Sequence, residues 1–129
     1  MQEHATSAIE IRDLLWEWSR AYPERAGDSV SWPRMAAFGL KVPSGREPID
    51  YERAEQVDRA VLVYLNAVMR RKDRERAKLE EAVFWLRYYY RWERQKVAKR
   101  LKRSKAWVDN MCNLIEGTVE AFYLAQNAA

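Results

Sequence analysis

Residues 91–115 read RWERQKVAKRLKRSKAWVDNMCNLI, and this stretch decides the fold. Val97, Ala98 and Leu101 fall at i, i+1 and i+4 and share one helical face. Ser104 stands where a second helix starts; serine is a favoured N-cap because its hydroxyl accepts from a free amide of the first turn. Val108, Met111, Cys112 and Ile115 then recur at helical spacing. Two helices joined by three or four residues, with small Ala98 allowing close approach, make the pattern of a helix-turn-helix at about residues 93–115.

Charge sharpens the reading. Residues 87–105 hold nine basic side chains and one acid, Glu93, for a net +8, whereas the whole chain is +4 and the remainder therefore −4. Concentrated positive charge is the footprint of a phosphate-binding surface. On double-stranded DNA, Arg94, Lys96, Lys99, Arg100, Lys102 and Arg103 would contact phosphates and set register, not sequence. Ser104 would cap the recognition helix with its amide end toward a phosphate. Lys105, Trp107, Asp109, Asn110 and Asn113, with Ala106, would face outward as the base-reading set. Asparagine pairs most readily with adenine, and Lys105 reaches a phosphate or a guanine. Trp107 has two roles open to it, contact with a thymine methyl or packing on the preceding helix. The rival to the whole reading is a bundle element that binds no nucleic acid.

The rest of the chain predicts an all-α fold. Ile11, Leu14, Leu15, Trp18 and Tyr22 mark an amphipathic helix that ends before Pro23. Residues 23–49 hold all four prolines and three of the four glycines and predict irregular chain. Residues 1–49 thus form an N-terminal helix plus irregular segment, and residues 50–129 a helical body. Within the irregular segment Trp32, Met35 and Phe38 either cover the core or are presented to a partner protein. Asp50 predicts an N-cap, followed by a long helix that buries Ala54, Val57, Val61, Leu65 and Val68. Residues 70–78, RRKDRERAK, read as a solvated face rather than a second nucleic-acid site. Asp73 predicts a further cap, with Val83, Leu86 and Tyr90 on the buried face of a helix ending near Arg91. The second helix of the motif runs on through Gly117, which costs about 1 kcal/mol against alanine and so predicts either close packing or a kink.

Composition narrows the function classes. A 48% hydrophobic chain of 129 residues supports one real core. One cysteine, Cys112, allows no internal disulfide, and with one histidine, His4, no cysteine- or histidine-rich metal site is expected. No carboxylate pair sits in a catalytic motif and no glycine-rich phosphate loop occurs, so neither an enzyme nor a cofactor is expected. No signal peptide and no apolar run near 18 residues is present, so no membrane partner is expected.

Three separated stretches carry a resemblance: IRDLLWEWSRAY followed by SWPRMAAFG, then VDRAVLVYL, then VAKRLKRSKAWVDNMCNLIEGTVEAF. Together they resemble the late-gene antitermination protein Q family of lambdoid bacteriophages, in its compact, zinc-free type. The pattern is carried by Trp16 and Trp18, then Trp32, Pro33 and Met35, then Asp58 and Arg59, then Glu116 and Gly117. It departs at Arg91-Trp92-Glu93, where the family has a Gly-Leu-Ser-like step, and at Trp107, Asp109 and Asn110, where the family offers Thr and Arg. The resemblance implies a C-terminal helix-turn-helix like that of sigma region 4 and work in the host bacterial cytoplasm. It also implies loading from a DNA element onto paused, sigma-containing bacterial RNA polymerase. The protein would then act at the RNA exit channel, close to nascent RNA, so that terminators are read through. A conventional phage activator or repressor, or a DNA-packaging or structural protein, are the alternatives.

Overall fold

The computed structural model describes residues 10–25 and 48–128. Among these the elements are all helical: α1 Ile11–Ala21, α2 Tyr51–Met69, α3 Arg74–Phe84 with a π-helical turn Trp85–Tyr89 at its end, α4 Arg94–Leu101 and α5 Lys105–Ala128. Residues 26–47, with Trp32, Met35 and Phe38, lie outside the described residues.

Local capping sets several boundaries. Asp50 accepts from the Arg53 amide at 3.1 Å and Asp73 from the Arg76 amide at 3.0 Å, each satisfying one orphan donor of the first turn. Ser104 Oγ accepts from the Trp107 amide at 3.0 Å and opens α5. Glu93 precedes α4 without a side-chain capping bond. At the other end of α4, Lys102 takes the left-handed conformation, φ 57° and ψ 46°. The Arg103 amide then reaches the Ala98 carbonyl at 3.0 Å and the Lys102 amide the Lys99 carbonyl at 3.3 Å, the Schellman arrangement. Lys102, Arg103 and Ser104 are thus the whole connection between α4 and α5.

The core gathers one face from each helix. Leu14, Leu15 and Trp18 of α1 meet Val57, Val61, Tyr64 and Val68 of α2, with Val97, Val108, Ile115 and Val119 completing the cluster. The most extensive pairing is α2 along α5. Rings of Trp18, Tyr64, Phe84, Trp85, Tyr88 and Tyr89 pack at centroid separations of 5.2–6.2 Å. Three buried carboxylates tie elements together. Glu17 of α1 takes a two-pronged contact from Arg53 of α2 at 2.8 and 2.9 Å. Asp58 accepts from Trp18 Nε1 at 2.9 Å and from Arg25 at 2.6 and 3.0 Å. Glu80 accepts from Tyr64 at 2.6 Å and from Arg71 at 3.1 Å. Each carboxylate is thereby both charge-paired and hydrogen-bonded, as a buried ion must be.

Two expectations need correction. The buried face of α3 was expected to run through Tyr90 at ordinary helical spacing. The π turn, closed by Tyr90 N–H to the Trp85 carbonyl at 2.9 Å, inserts one extra residue. Tyr88 is buried and Tyr90 half-buried. Gly117, expected to pack closely or to kink the helix, does not pack closely. A Cβ there would meet nothing within 4 Å, and α5 continues through it. Residues 70–78 are largely exposed, apart from buried Ala77 and half-buried Arg71.

Candidate functional site

The basic segment comes together on α4, the three-residue turn and the first turns of α5. Val97 and Ala98 turn inward from α4, and Val108, Met111, Cys112 and Ile115 turn inward from α5. This burial fixes what the other positions present. Ala106, Asn110, Asn113 and Gly117 are all exposed and, at i, i+4, i+7 and i+11, form a single ridge along α5. Every side chain on that ridge is short, so nothing bulky holds a partner surface away from the helix.

Lys96, Lys99, Arg100, Lys102, Arg103 and Lys105 are exposed. Some of them are held by local contacts. The Lys96 ammonium lies 5.0 Å from the Trp92 ring centre and the Arg103 guanidinium 5.2 Å from that of Trp107, within cation–π range. Lys105 Nζ lies 3.2 Å from Asp109 Oδ2.

Arg94 and Asp109 depart from their expected places. Both are half-buried: Arg94 Nη1 donates to Asp109 Oδ1 at 3.1 Å, and Arg94 Nη2 lies 3.7 Å from Glu116 Oε2. Asp109 therefore turns toward α4 and does not face outward, because a guanidinium within reach offers a charge-assisted bond that water cannot match. Partial burial works to raise the Asp109 carboxyl, but the bonds from Lys105 and Arg94 outweigh it and hold it below its ordinary range. Arg94 spends its charge inside the α4–α5 pair. Behind it, Tyr88 of the π turn donates to Glu116, so the same acidic edge of α5 is joined to α3 as well.

Trp107 is half-buried and packs against the core. It also walls a cavity of about 420 Å³ between α5 and the start of α3, shared with Asp73, Glu75, Asn110 and Leu114. Both signs of charge therefore stand on the α3 flank of the ridge, Asp73 and Glu75 with Arg76, while the cations of α4 stand on the other. Sequence periodicity gives no sign of this asymmetry, because it depends on which helix packs beside α5.

Among the described residues no group of His, Cys, Asp and Glu side chains could hold a metal ion, and no helix is long and apolar enough to cross a membrane. No family model, curated protein or solved structure matches the chain.

Proposed function

We propose that α4 and α5 act as a helix-turn-helix that binds double-stranded DNA, with α5 as the recognition helix. The observation that carries this reading is the exposed ridge of short side chains Ala106, Asn110, Asn113 and Gly117 beside the exposed cations of α4 and the turn. A narrow ridge suits entry into a major groove about 12 Å wide, and Asn110 and Asn113 offer the amide pattern that pairs with adenine. Lys99, Arg100, Lys102 and Arg103 supply phosphate contacts, which position the duplex without reading sequence.

The biological task we propose is phage transcription antitermination. DNA binding near a late promoter would load the protein onto sigma-containing RNA polymerase in the host bacterial cytoplasm, where it acts at the RNA exit channel. The support is the ordered sequence pattern of the antitermination family, together with the separation of a +8 segment from a −4 remainder rich in Trp and Tyr. The decisive experiment is transcription across a terminator, on a template carrying the cognate late promoter, with and without protein. Readthrough that depends on protein and promoter supports the reading. Specific DNA binding without readthrough returns the protein to the class of conventional activators and repressors, and an absence of DNA binding removes the helix-turn-helix reading itself.

A further inference from the structure

A second basic site lies away from the α4–α5 face, around Trp16. Three guanidinium groups gather on its ring: Arg12 at 5.8 Å, Arg87 at 5.5 Å and Arg91 at 5.3 Å from the centroid. They come from two elements far apart in sequence, α1 and the π turn with the residues just after it. Arg91 reaches its place from a backbone φ of 62°, in the region that non-glycine residues rarely adopt, and its Nη2 donates to the Trp16 carbonyl at 3.2 Å.

Three polar atoms here are donors that lack acceptors. Arg12 Nε, Trp16 Nε1 and Arg87 Nε are covered from solvent and have no hydrogen-bond partner. Buried donors are nearly always paired, so three orphans in one cluster point to a missing acceptor. The charge balance points the same way. Arg12 is held by Glu10 at 3.2 Å. Arg87 is half-buried, its Nη1 meets the Trp92 carbonyl at 3.0 Å, and it has no carboxylate partner among the described residues. Of the two acids within α1, Glu17 is committed to Arg53 and Asp13 is exposed. A half-buried guanidinium answered by an indole face and a carbonyl is short of a counter-ion.

We infer that Arg12, Trp16, Arg87 and Arg91 form an oxyanion site whose occupant is a phosphodiester group of nucleic acid. The unpaired atoms of the site are all donors, which suits a ligand that offers only acceptors, and the planar guanidinium fork matches phosphate geometry. Arg87 and Arg91 are also the first two members of the basic run that continues to Lys105. Because the orphan N–H atoms are covered, occupancy has to lift a guanidinium from the ring, so the indole itself reports binding. The site stands whether or not α5 reads bases.

The test is the indole N–H resonance of Trp16 in nitrogen-15-labelled full-length protein, assigned by Trp16→Phe. The probes are inorganic phosphate, a short single-stranded RNA, a short DNA duplex and polyglutamate, each at constant ionic strength in chloride. A saturable shift with phosphate and with at least one nucleic acid supports the site, and the two nucleic-acid arms show which strand it takes. Arg87→Gln should abolish the shift and flatten the plot of log affinity against log salt by about 0.9 on duplex DNA or roughly 0.7 on a single strand. Arg12→Gln keeps the test open if Arg87→Gln melts early. Asn110→Ala should leave the Trp16 response to inorganic phosphate intact. No saturable shift with any phosphate, or saturation by polyglutamate alone, overturns the proposal; the latter outcome would make this a protein-docking site.

Discussion

Arg94 of α4 and Asp109 of α5 face one another at 3.1 Å, so two charged residues of the candidate interface are spent on joining its two helices. Arg94→Gln should therefore lower the melting temperature and speed amide exchange along α4. It should also weaken DNA binding through disorder of the reading surface, while the salt dependence of binding stays as in the wild type, because no phosphate contact is lost. A flattened slope in Arg94→Gln would put the guanidinium on the DNA backbone instead.

Lys99 and Asn110 give the contrasting cases. Lys99 is exposed on α4, and Lys99→Ala should weaken binding about equally on all sequences and flatten the salt plot by about 0.9. Asn110 is exposed on the ridge of α5. Asn110→Ala should cost roughly 1–3 kcal/mol on a sequence selected from a random duplex library and little on unselected DNA. Equal losses on both kinds of DNA would remove Asn110 from base readout.

Glu17 sets a pH dependence. Its burial works to raise the carboxyl, but the Arg53 guanidinium and the Asp50 amide bond the ionised form and hold it below its ordinary value of 4.5. A depressed carboxyl contributes stability in full above the unfolded-state value and loses it as pH falls through the lower folded value. Stability should therefore fall as the pH drops below about 4.5. Glu17→Gln should flatten that limb and cost roughly 1.5–3 kcal/mol at neutral pH, the range for hydrogen bonds to charged groups. Urea titrations at neutral and acid pH check both parts.

The features legible in the sequence are the local ones. Asp50, Asp73 and Ser104 can be read as caps because the amide each one accepts is three residues away. Val97, Ala98, Val108, Met111, Cys112 and Ile115 can be read as buried because helical spacing alone defines their face. Which of Tyr88, Tyr89 and Tyr90 is buried could not be read, since three consecutive tyrosines spread round a helix and a π turn leaves no periodic trace. The pairs Trp18–Asp58, Tyr64–Glu80 and Arg94–Asp109 join residues 40, 16 and 15 positions apart, and no spacing rule connects them. The convergence of Arg12, Arg87 and Arg91 on Trp16 is hidden for the same reason: single arginines on different elements look like ordinary surface charge.

Gly117 is a simple test of backbone cost. It is exposed within α5 and has open space where a Cβ would go. Gly117→Ala should stabilise the fold by roughly 0.5–1 kcal/mol through lower unfolded-state entropy and better helix propensity. A loss of stability in urea titration would show that the glycine meets something a methyl group disturbs.

Lys102 combines a structural and an electrostatic role that one substitution can separate. It closes α4 in the left-handed region, where a residue with a Cβ pays about 1–2 kcal/mol that glycine does not. Glycine in turn loses more conformational entropy on folding, which offsets part of that gain. Lys102→Gly should therefore raise stability by up to about 1 kcal/mol and keep the Arg103 to Ala98 and Lys102 to Lys99 backbone bonds that set the turn. The same change deletes a cation from the exposed basic surface, so duplex binding should weaken with a salt slope flatter by about 0.9. Lys102→Ala provides the control, since it removes the same charge without relieving the backbone. It should lose binding equally and gain no stability. If Lys102→Gly became more stable with an unchanged salt slope, Lys102 would be a structural residue of the turn and not part of the phosphate-contacting surface.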